Sequence, residues 1–188
     1  MDFNTLEIET ERLILKTLDE SYANKVLDFN IKNKEFLKPW EPIRNKDYFT
    51  YKGQKELLKN DYEEMKEKRM IRLYIFKKNN ISEAVIGIIS INNIVRGAFL
   101  SCIIGYKMDK DEINKGYMTE ALKGVIELVF DDLNLHRIEA NIIPDNKPSL
   151  KIVNKLDFKK EGLAKKYLKI NGRWRDHYHM VVLNEKIE

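Results

Sequence analysis

The stretch that decides the fold runs from residue 105 to residue 122 and reads GYKMDKDEINKGYMTEAL. An apolar strand ending at Met108 leads through a polar loop, which contains Asn114 and Gly116, into a helix starting at Tyr117. A tight turn of this kind points several backbone N–H groups at one spot, and the positive end of the helix dipole adds to them. The spot suits a phosphate or pyrophosphate, although many strand–loop–helix units bind nothing.

Strands are predicted on both sides of this stretch, where apolar residues alternate with polar ones or follow each other without interruption. They cover residues 10–18, 71–77, 84–94, 99–108, 137–143, 167–170 and 177–183. Hairpin turns are predicted at Arg96-Gly97 and Asn171-Gly172. The order indicates a mixed α/β chain with hairpins and at least one helical crossover.

Helices are predicted over 19–30, 48–68 and 117–130, where apolar residues recur at helical spacing. A further short helix is predicted after Asn146, which is a good N-cap, and Asn134 suits the C-terminal end of the third helix. The two prolines of residues 35–45 predict a loop there. The inward face of the second helix is predicted to hold Tyr51, Leu58, Tyr62 and Met65.

The composition indicates one domain over residues 1–188, with 43% hydrophobic and 34% charged residues. The net charge is only +4, and the charges alternate in sign along most of the chain, so we expect no nucleic-acid partner. Cys102 is the one cysteine and is predicted to be a packed thiol. No signal peptide or membrane-spanning run is recognised, so a cytoplasmic protein without a membrane partner is expected.

Four motifs make the chain resemble the GCN5-related N-acetyltransferases (GNAT), especially the bacterial ribosomal-protein-alanine branch. They are LKPWEP at 37–42, NIVRG at 93–97, KGYMTEAL at 115–122 and HRIEAN at 136–141. The similarity extends from residues 10–13 to residues 174–177. It implies an α/β (α+β) fold, with a mixed and mostly antiparallel sheet of about seven strands flanked by about four helices. It also implies acetyl-CoA as co-substrate.

The resemblance assigns the phosphate turn to the acetyl-CoA loop, although only Gly116 matches the usual pattern of that loop. Ile113 replaces a Gln or Arg, Met118 replaces a small residue, and Asn114 replaces a frequent Gly. Asn is the next-best residue for a left-handed backbone, so the turn can survive, and the same holds for Asp157 further on. The cofactor-binding residues implied here are Ile113, Asn114, Lys115, Gly116, Tyr117, Met118 and Thr119.

Three more cofactor contacts are implied near the reacting thioester. The resemblance puts a splay of the central strands at Met108, whose backbone N–H would hold the oxyanion. Asn146 and Ser149 share the first turn of one helix beside the pantetheine arm. Asn146 would bond the arm, and Ser149 would donate to the departing sulfur; simple helix capping is the alternative for both.

The general base is left open among Glu139, Glu41, Asp176 and His177. An α-amine has a pKa of about 7.7–8.0, against about 10.4 for lysine, so a useful fraction of it is neutral at neutral pH. The lack of an obvious strong base therefore fits an N-terminal acceptor better than a lysine. His177 and His179 alternate on one strand, but no third ligand stands at metal spacing, so no metal is expected.

The acceptor groove is predicted to hold Trp40, Glu41, Tyr167, Trp174 and Asp176, although the aromatic residues can equally pack loops or core. The leading hypothesis is acetylation of a protein N-terminus, with alanine of a ribosomal protein as acceptor. The alternatives are a small-amine acetyltransferase, acting on a polyamine or aminoglycoside, and a non-catalytic acyl-CoA-binding or ribosome-binding module. A monomer or a homodimer is expected.

Overall fold

The computed structural model describes residues 1–78 and 84–187, and these residues form one sheet of eight strands. The strands are β1 (Glu7–Glu9), β2 (Leu13–Lys16), β3 (Ile71–Lys77), β4 (Gly87–Val95), β5 (Ser101–Met108), β6 (Arg137–Ile142), β7 (Lys159–Ile170) and β8 (Arg173–Leu183). Their order is β1-β2-β3-β4-β5-β6-β8-β7. The predicted single domain includes residues 79–83 and 188, which lie outside the described ranges.

All neighbouring strands are antiparallel except β5 and β6, which are parallel. The expected fold class, a mixed and mostly antiparallel sheet with four helices, is confirmed. The strand predicted over 10–18 is the shorter β2, and β1, which was not predicted, precedes it in a hairpin whose turn is closed by hydrogen bonds between Thr10 and Leu13. This hairpin raises the number of strands from about seven to eight.

Four α-helices cover the two faces of the sheet in the described part of the chain. They are α1 (Ala23–Leu37), α2 (Tyr51–Lys66), α3 (Tyr117–Glu127) and α4 (Lys147–Lys155). α3 and α4 pack on the face that carries Leu73, Ile89 and Ile104. α1 and α2 pack on the opposite face, around Tyr74 and Ile88.

Two details of the first helices differ from the prediction. α1 continues to Leu37 instead of ending at 30, and Pro39 follows shortly after its end because proline cannot continue a helix. In α2, Leu58 and Met65 are buried as predicted, but Tyr51 and Tyr62 are 47% and 41% exposed. Their predicted inward position was wrong, because polar residues that form hydrogen bonds inside the protein take that face: Gln54 and Asp61.

Left-handed residues lie where Asn, Asp and Gly were expected to permit them. Asn134, Asp157 and Asn171 have φ angles of 50°, 62° and 44°, and Gly172 has 78°. The turn at 171–172 joins β7 and β8, which are much longer than the predicted segments 167–170 and 177–183. Register shifts in β7 break the regular alternation, so its first half was not recognised as a strand.

The parallel pair β5–β6 separates halfway along its length. Its pairing runs from Ser101 and Arg137 to Ile104 and Ala140 and then stops. β5 continues beside β4 as far as Met108, and β6 continues beside β8. The splay that the resemblance implied is therefore confirmed, and it opens the sheet at residues 105–108. No helix of the described residues is long and apolar enough to span a membrane.

Candidate active site

A cavity of about 770 Å³ lies at the splay and reaches both faces of the sheet. Tyr106 extends from β5 toward α4, where it contacts Ser149. The next residue, Lys107, extends to the opposite face and contacts Asn30 of α1. The cavity therefore connects the α3/α4 side, which holds the phosphate turn, with the α1/α2 side.

The phosphate turn has the backbone that the sequence indicated. Asn114 and Gly116 have φ angles of 62° and 82°, and Gly116 is the N-cap of α3. Glycine has no side chain to cap the helix, so the N–H groups of the first turn remain able to bind an anion. Every residue predicted for this loop lines the cavity except Lys115. The turn is therefore able to accept an anionic group such as a phosphate.

An N-terminal clamp, which the sequence analysis missed, holds this turn. Glu120 accepts hydrogen bonds from the Thr10 hydroxyl at 2.6 Å and from Arg12 Nε at 2.7 Å. Arg12 also donates to the carbonyl of Lys115 at 3.1 Å and lies over the ring of Tyr117. Burial works against ionisation, but these hydrogen bonds keep the pKa of Glu120 below its ordinary value. In the sequence, the TERL segment at residues 10–13 was the signal that could have indicated this clamp.

A second anchor fixes the chain just after β5. Asp109 is buried and accepts hydrogen bonds from Asn33 of α1 and from the N–H of Asp111. Lys32 forms an ion pair with it at 2.8 Å. Burial opposes ionisation, yet these contacts hold the pKa of Asp109 below its ordinary range. The anchor ties α1 to the start of the phosphate loop.

Met108 ends β5 at the open side of the splay and lines the cavity. The next N–H, that of Asp109, donates to Ile86 on the β4 side at 2.8 Å. Because successive N–H groups of a strand point to opposite sides, the N–H of Met108 points away from β4, into the splay. A fixed backbone donor therefore faces the cavity.

Ser149 is connected to a tyrosine that the sequence analysis missed. Its hydroxyl lies 2.6 Å from the Tyr106 hydroxyl, in a contact where either group can donate, and the Tyr106 oxygen lies 3.1 Å from the Ser149 carbonyl oxygen. Burial raises the pKa of Tyr106 to about 12, so the phenol keeps its proton at neutral pH. The predicted N-cap is confirmed, since Asn146 Oδ1 accepts from the Ser149 N–H at 3.2 Å. Both Asn146 and Ser149 line the cavity.

The α1/α2 side of the cavity contains Trp40 and Glu41, two of the predicted acceptor residues. Glu41 is held by the ammonium group of Lys107 at 2.9 Å. The same ammonium also donates to Asn30 Oδ1 and to the Tyr48 hydroxyl, each at 3.2 Å. Lys107 thus joins the loop after α1 to the splayed end of β5, which the sequence alone did not indicate.

The other predicted acceptor residues lie outside the described lining of the cavity. Tyr167 packs its ring against His177 and His179, and Trp174 is 61% exposed. Asp176 pairs with Lys165, and a hydrogen bond from that lysine is the main cause that lowers its pKa. Their roles in acceptor binding remain predictions.

Two candidate bases are also remote from this lining. Glu139 binds His179 at 2.9 Å and Arg137 at 3.2 Å. Burial opposes ionisation, but these contacts lower the pKa of Glu139. His177 is buried, and burial lowers its pKa. In the described ranges, no three His, Cys, Asp or Glu side chains are grouped to hold a metal ion.

Comparison with known proteins relates this chain to acetyltransferases. The model of the acetyltransferase (GNAT) domain matches residues 12–159. The [ribosomal protein uS5]-alanine N-acetyltransferase of Escherichia coli K12 is 35% identical over 172 residues, which are 92% of this chain and 88% of that protein.

Two solved structures have the same fold and similar extent. The ribosomal-protein-S5-alanine acetyltransferase from Vibrio fischeri has a TM-score of 0.91 at 35% identity, over 97% of this chain and 99% of that chain. RimJ from Mycobacterium smegmatis, solved in complex with CoA-disulfide, has a TM-score of 0.88 at 26% identity. That match covers 96% of this chain and 88% of the RimJ chain.

The resemblance noted in the sequence is thereby confirmed over most of the chain. The chain belongs to the GNAT acetyltransferase family and is an N-acetyltransferase that uses acetyl-CoA.

Proposed function

We propose that the enzyme acetylates the α-amine of a protein N-terminus, with alanine of a ribosomal protein as the foremost acceptor, in the cytoplasm. The observation that carries this proposal is the cavity that crosses the sheet at the splay. It connects the phosphate turn with a pocket containing Trp40 and Glu41. The names of the relatives from Escherichia coli and Vibrio fischeri, both ribosomal-protein-alanine acetyltransferases, support the choice of acceptor.

Each residue of the site has a role in a direct transfer within a ternary complex. Acetyl-CoA supplies a thioester carbonyl carbon, which the neutral amine nitrogen attacks. The N–H of Met108 donates to the carbonyl oxygen as negative charge develops on it. The C–S bond then breaks, the amine proton passes to water, and the Ser149 hydroxyl donates to the sulfur that departs as thiolate.

Tyr106 orients that serine. When the Tyr106 hydroxyl donates to the serine oxygen at 2.6 Å, the serine proton is left free to point into the cavity. A thiol pKa near about 8.5 makes the thiolate an acceptable leaving group, so this hydrogen bond is sufficient help. Asn146 places Ser149 by capping α4, and its amide also faces the cavity for the pantetheine arm.

A strong general base is not required for this acceptor. Glu41 is the acidic candidate that lines the cavity on the acceptor side, and its carboxylate is already engaged by Lys107. With an α-amine pKa of about 7.7–8.0, water accepts the proton from the fraction that is charged. The cations Arg44, Arg72 and Lys107 on this side argue against a polyamine acceptor.

The proposal is tested by incubating the protein with acetyl-CoA and three groups of acceptors: N-terminal peptides, polyamines and aminoglycosides. Released thiol measures turnover. We expect turnover with peptides that begin with alanine. Thiol release with polyamines or aminoglycosides alone would overturn the proposed acceptor, and tight CoA binding without turnover on any amine would favour a binding module.

A further inference from the structure

The α1/α2 side of the cavity contains a buried hydrogen-bond donor for which the described residues supply no acceptor. Tyr74 lines the cavity, is 1% exposed, and its hydroxyl has no hydrogen-bond partner in the described ranges. An unpaired buried hydroxyl destabilises a folded protein, so such a group calls for a partner, which a bound ligand can supply. Burial raises the pKa of Tyr74 above its ordinary value, so the group remains a donor.

Arg72 lies two residues before Tyr74 on the same face of β3 and also lines the cavity. Its Nη1 donates to Asp61 at 2.5 Å. The positive charge of Arg72 lies close to the Tyr74 hydroxyl and partly offsets the burial that raises the pKa of that hydroxyl. The Tyr74 hydroxyl, whose proton lacks an acceptor, and the Arg72 guanidinium group therefore share one wall, and both can donate to an oxygen-bearing group.

The sheet register gives the distance from this wall to the splay. Tyr74 stands opposite Ile88, which stands opposite Lys107. Two strand spacings of about 4.8 Å place the Tyr74 backbone about 10 Å from β5. An extended peptide advances about 3.3–3.6 Å per residue. The second residue of an acceptor whose amine lies at the splay therefore covers only part of this distance, and a long side chain there extends across the rest toward the wall.

Charge on this side of the cavity favours an anionic group over a cationic one. Arg72 pairs with Asp61 and Lys107 pairs with Glu41. Arg44 lies at 4.0 Å from the same Glu41, at the limit of an ion pair. Three cations thus face two carboxylates, and one positive charge is left in excess.

We propose that Tyr74 and Arg72 form a subsite for an oxygen-bearing side chain at the second residue of the acceptor peptide. A carboxylate binds there better than an amide, and an amide binds better than an apolar or cationic side chain. This subsite deepens the proposed function and rests on it, since the register argument requires the acceptor amine at the splay. The names of the relatives do not describe it.

The test uses four peptides that begin with alanine and differ only at the second residue: Glu, Gln, Leu or Lys. We expect kcat/KM of the Glu peptide to exceed that of the Leu peptide about tenfold, the effect of one hydrogen bond to a charged group. Tyr74→Phe should reduce kcat/KM for the Glu peptide about tenfold. It should leave kcat/KM for the Leu peptide and the KM for acetyl-CoA unchanged. Because Phe removes only an unpaired hydroxyl, the melting temperature should not fall.

Tyr62→Phe is the matched control, since Tyr62 is exposed on α2 and lies outside the cavity lining. This substitution should leave kcat/KM unchanged for all four peptides. Equal kcat/KM for the Glu and Leu peptides, or an equal loss of both in Tyr74→Phe, would overturn the subsite while alanine peptides are still acetylated. If no peptide is acetylated, the proposed function fails instead. Calorimetry of the Glu and Leu peptides with the CoA-saturated protein then decides the subsite by itself.

Discussion

Replacing Gly116 by valine tests whether the left-handed turn before α3 binds the CoA phosphates. Gly116 has a φ of +82°, which a β-branched residue adopts only under strain. A strained residue costs about 1–3 kcal/mol. Space is not the obstacle, because an added Cβ would first meet Arg12 at 3.4 Å, an ordinary contact. The turn should therefore relax out of its left-handed form.

The size of the effect follows from that strain. If binding must restore the turn, affinity for CoA falls by the same about 1–3 kcal/mol, which is about 5-fold to 150-fold in Kd. A domain with a stability of about 5–15 kcal/mol remains folded after such a loss. Its melting temperature should fall by about 2–4 °C for each kcal/mol that the turn retains as strain.

Gly97→Val provides the matched control. Gly97 also has a positive φ, +72°, lies in the connection between β4 and β5, and has nothing within 4 Å of an added Cβ. It is not among the cavity-lining residues. Calorimetric titration with CoA should give weaker binding for Gly116→Val and native binding for Gly97→Val. Unchanged affinity in the first variant, or an equal loss in both, would refute the reasoning.

Ser149→Ala should lower kcat about tenfold and change the KM for acetyl-CoA little, because its hydrogen bond strengthens as charge develops on sulfur; steady-state kinetics with unaltered kcat would leave Ser149 a capping residue only. Tyr106→Phe should lower kcat by a smaller factor at native CoA affinity, and a loss of affinity by calorimetry would contradict a role in orienting Ser149. The pKa of Glu120 is lowered on folding from 4.5, so it adds stability above that pH, which is lost as the pH falls through the folded value. Thermal melts should show Glu120→Gln less stable than the native protein at pH 7, with a difference that shrinks as the pH falls through the folded pKa, and equal stability at pH 7 would refute this contribution. With an alanine peptide, kcat/KM should rise with pH through the α-amine pKa and then level off; a fall of the rate above pH 6 would contradict a neutral-amine nucleophile.

The phosphate turn could be predicted from the sequence because few residues tolerate a left-handed backbone. Asn114 and Gly116 are such residues, and both adopt it. The cap of α4 was predictable for a similar reason, since Asn146 bonds a backbone N–H only three residues away. Signals of this kind are local, so no tertiary structure is needed to interpret them.

Contacts between distant segments could not be predicted in the same way. Lys107 meets Glu41 across 66 residues, and Tyr106 meets Ser149 across 43. Neither separation along the chain follows the period of a helix or a strand, so a single sequence gives no sign of either contact. Both pairs exist because β5 splays away from β6 and directs consecutive side chains to opposite faces of the sheet.

The inward face of α2 was misjudged because hydrophobicity does not report buried polar pairs. Asp61 is buried with Arg72 of β3, so a charged residue stands where an apolar one was expected. Tyr62, the apolar neighbour, faces outward. Arg72 of the same pair also belongs to the proposed acceptor subsite. Without the Asp61–Arg72 pair, the sequence therefore indicated neither this part of the core nor this part of the site.

One peptide tests the central claim directly. It begins with alanine, carries an internal lysine, and offers an α-amine and an ε-amine in the same reaction at neutral pH. After incubation with the enzyme and acetyl-CoA, fragmentation mass spectrometry locates the acetyl group. We expect acetylation of the N-terminal alanine alone, and acetylation of the lysine side chain would contradict the proposed function.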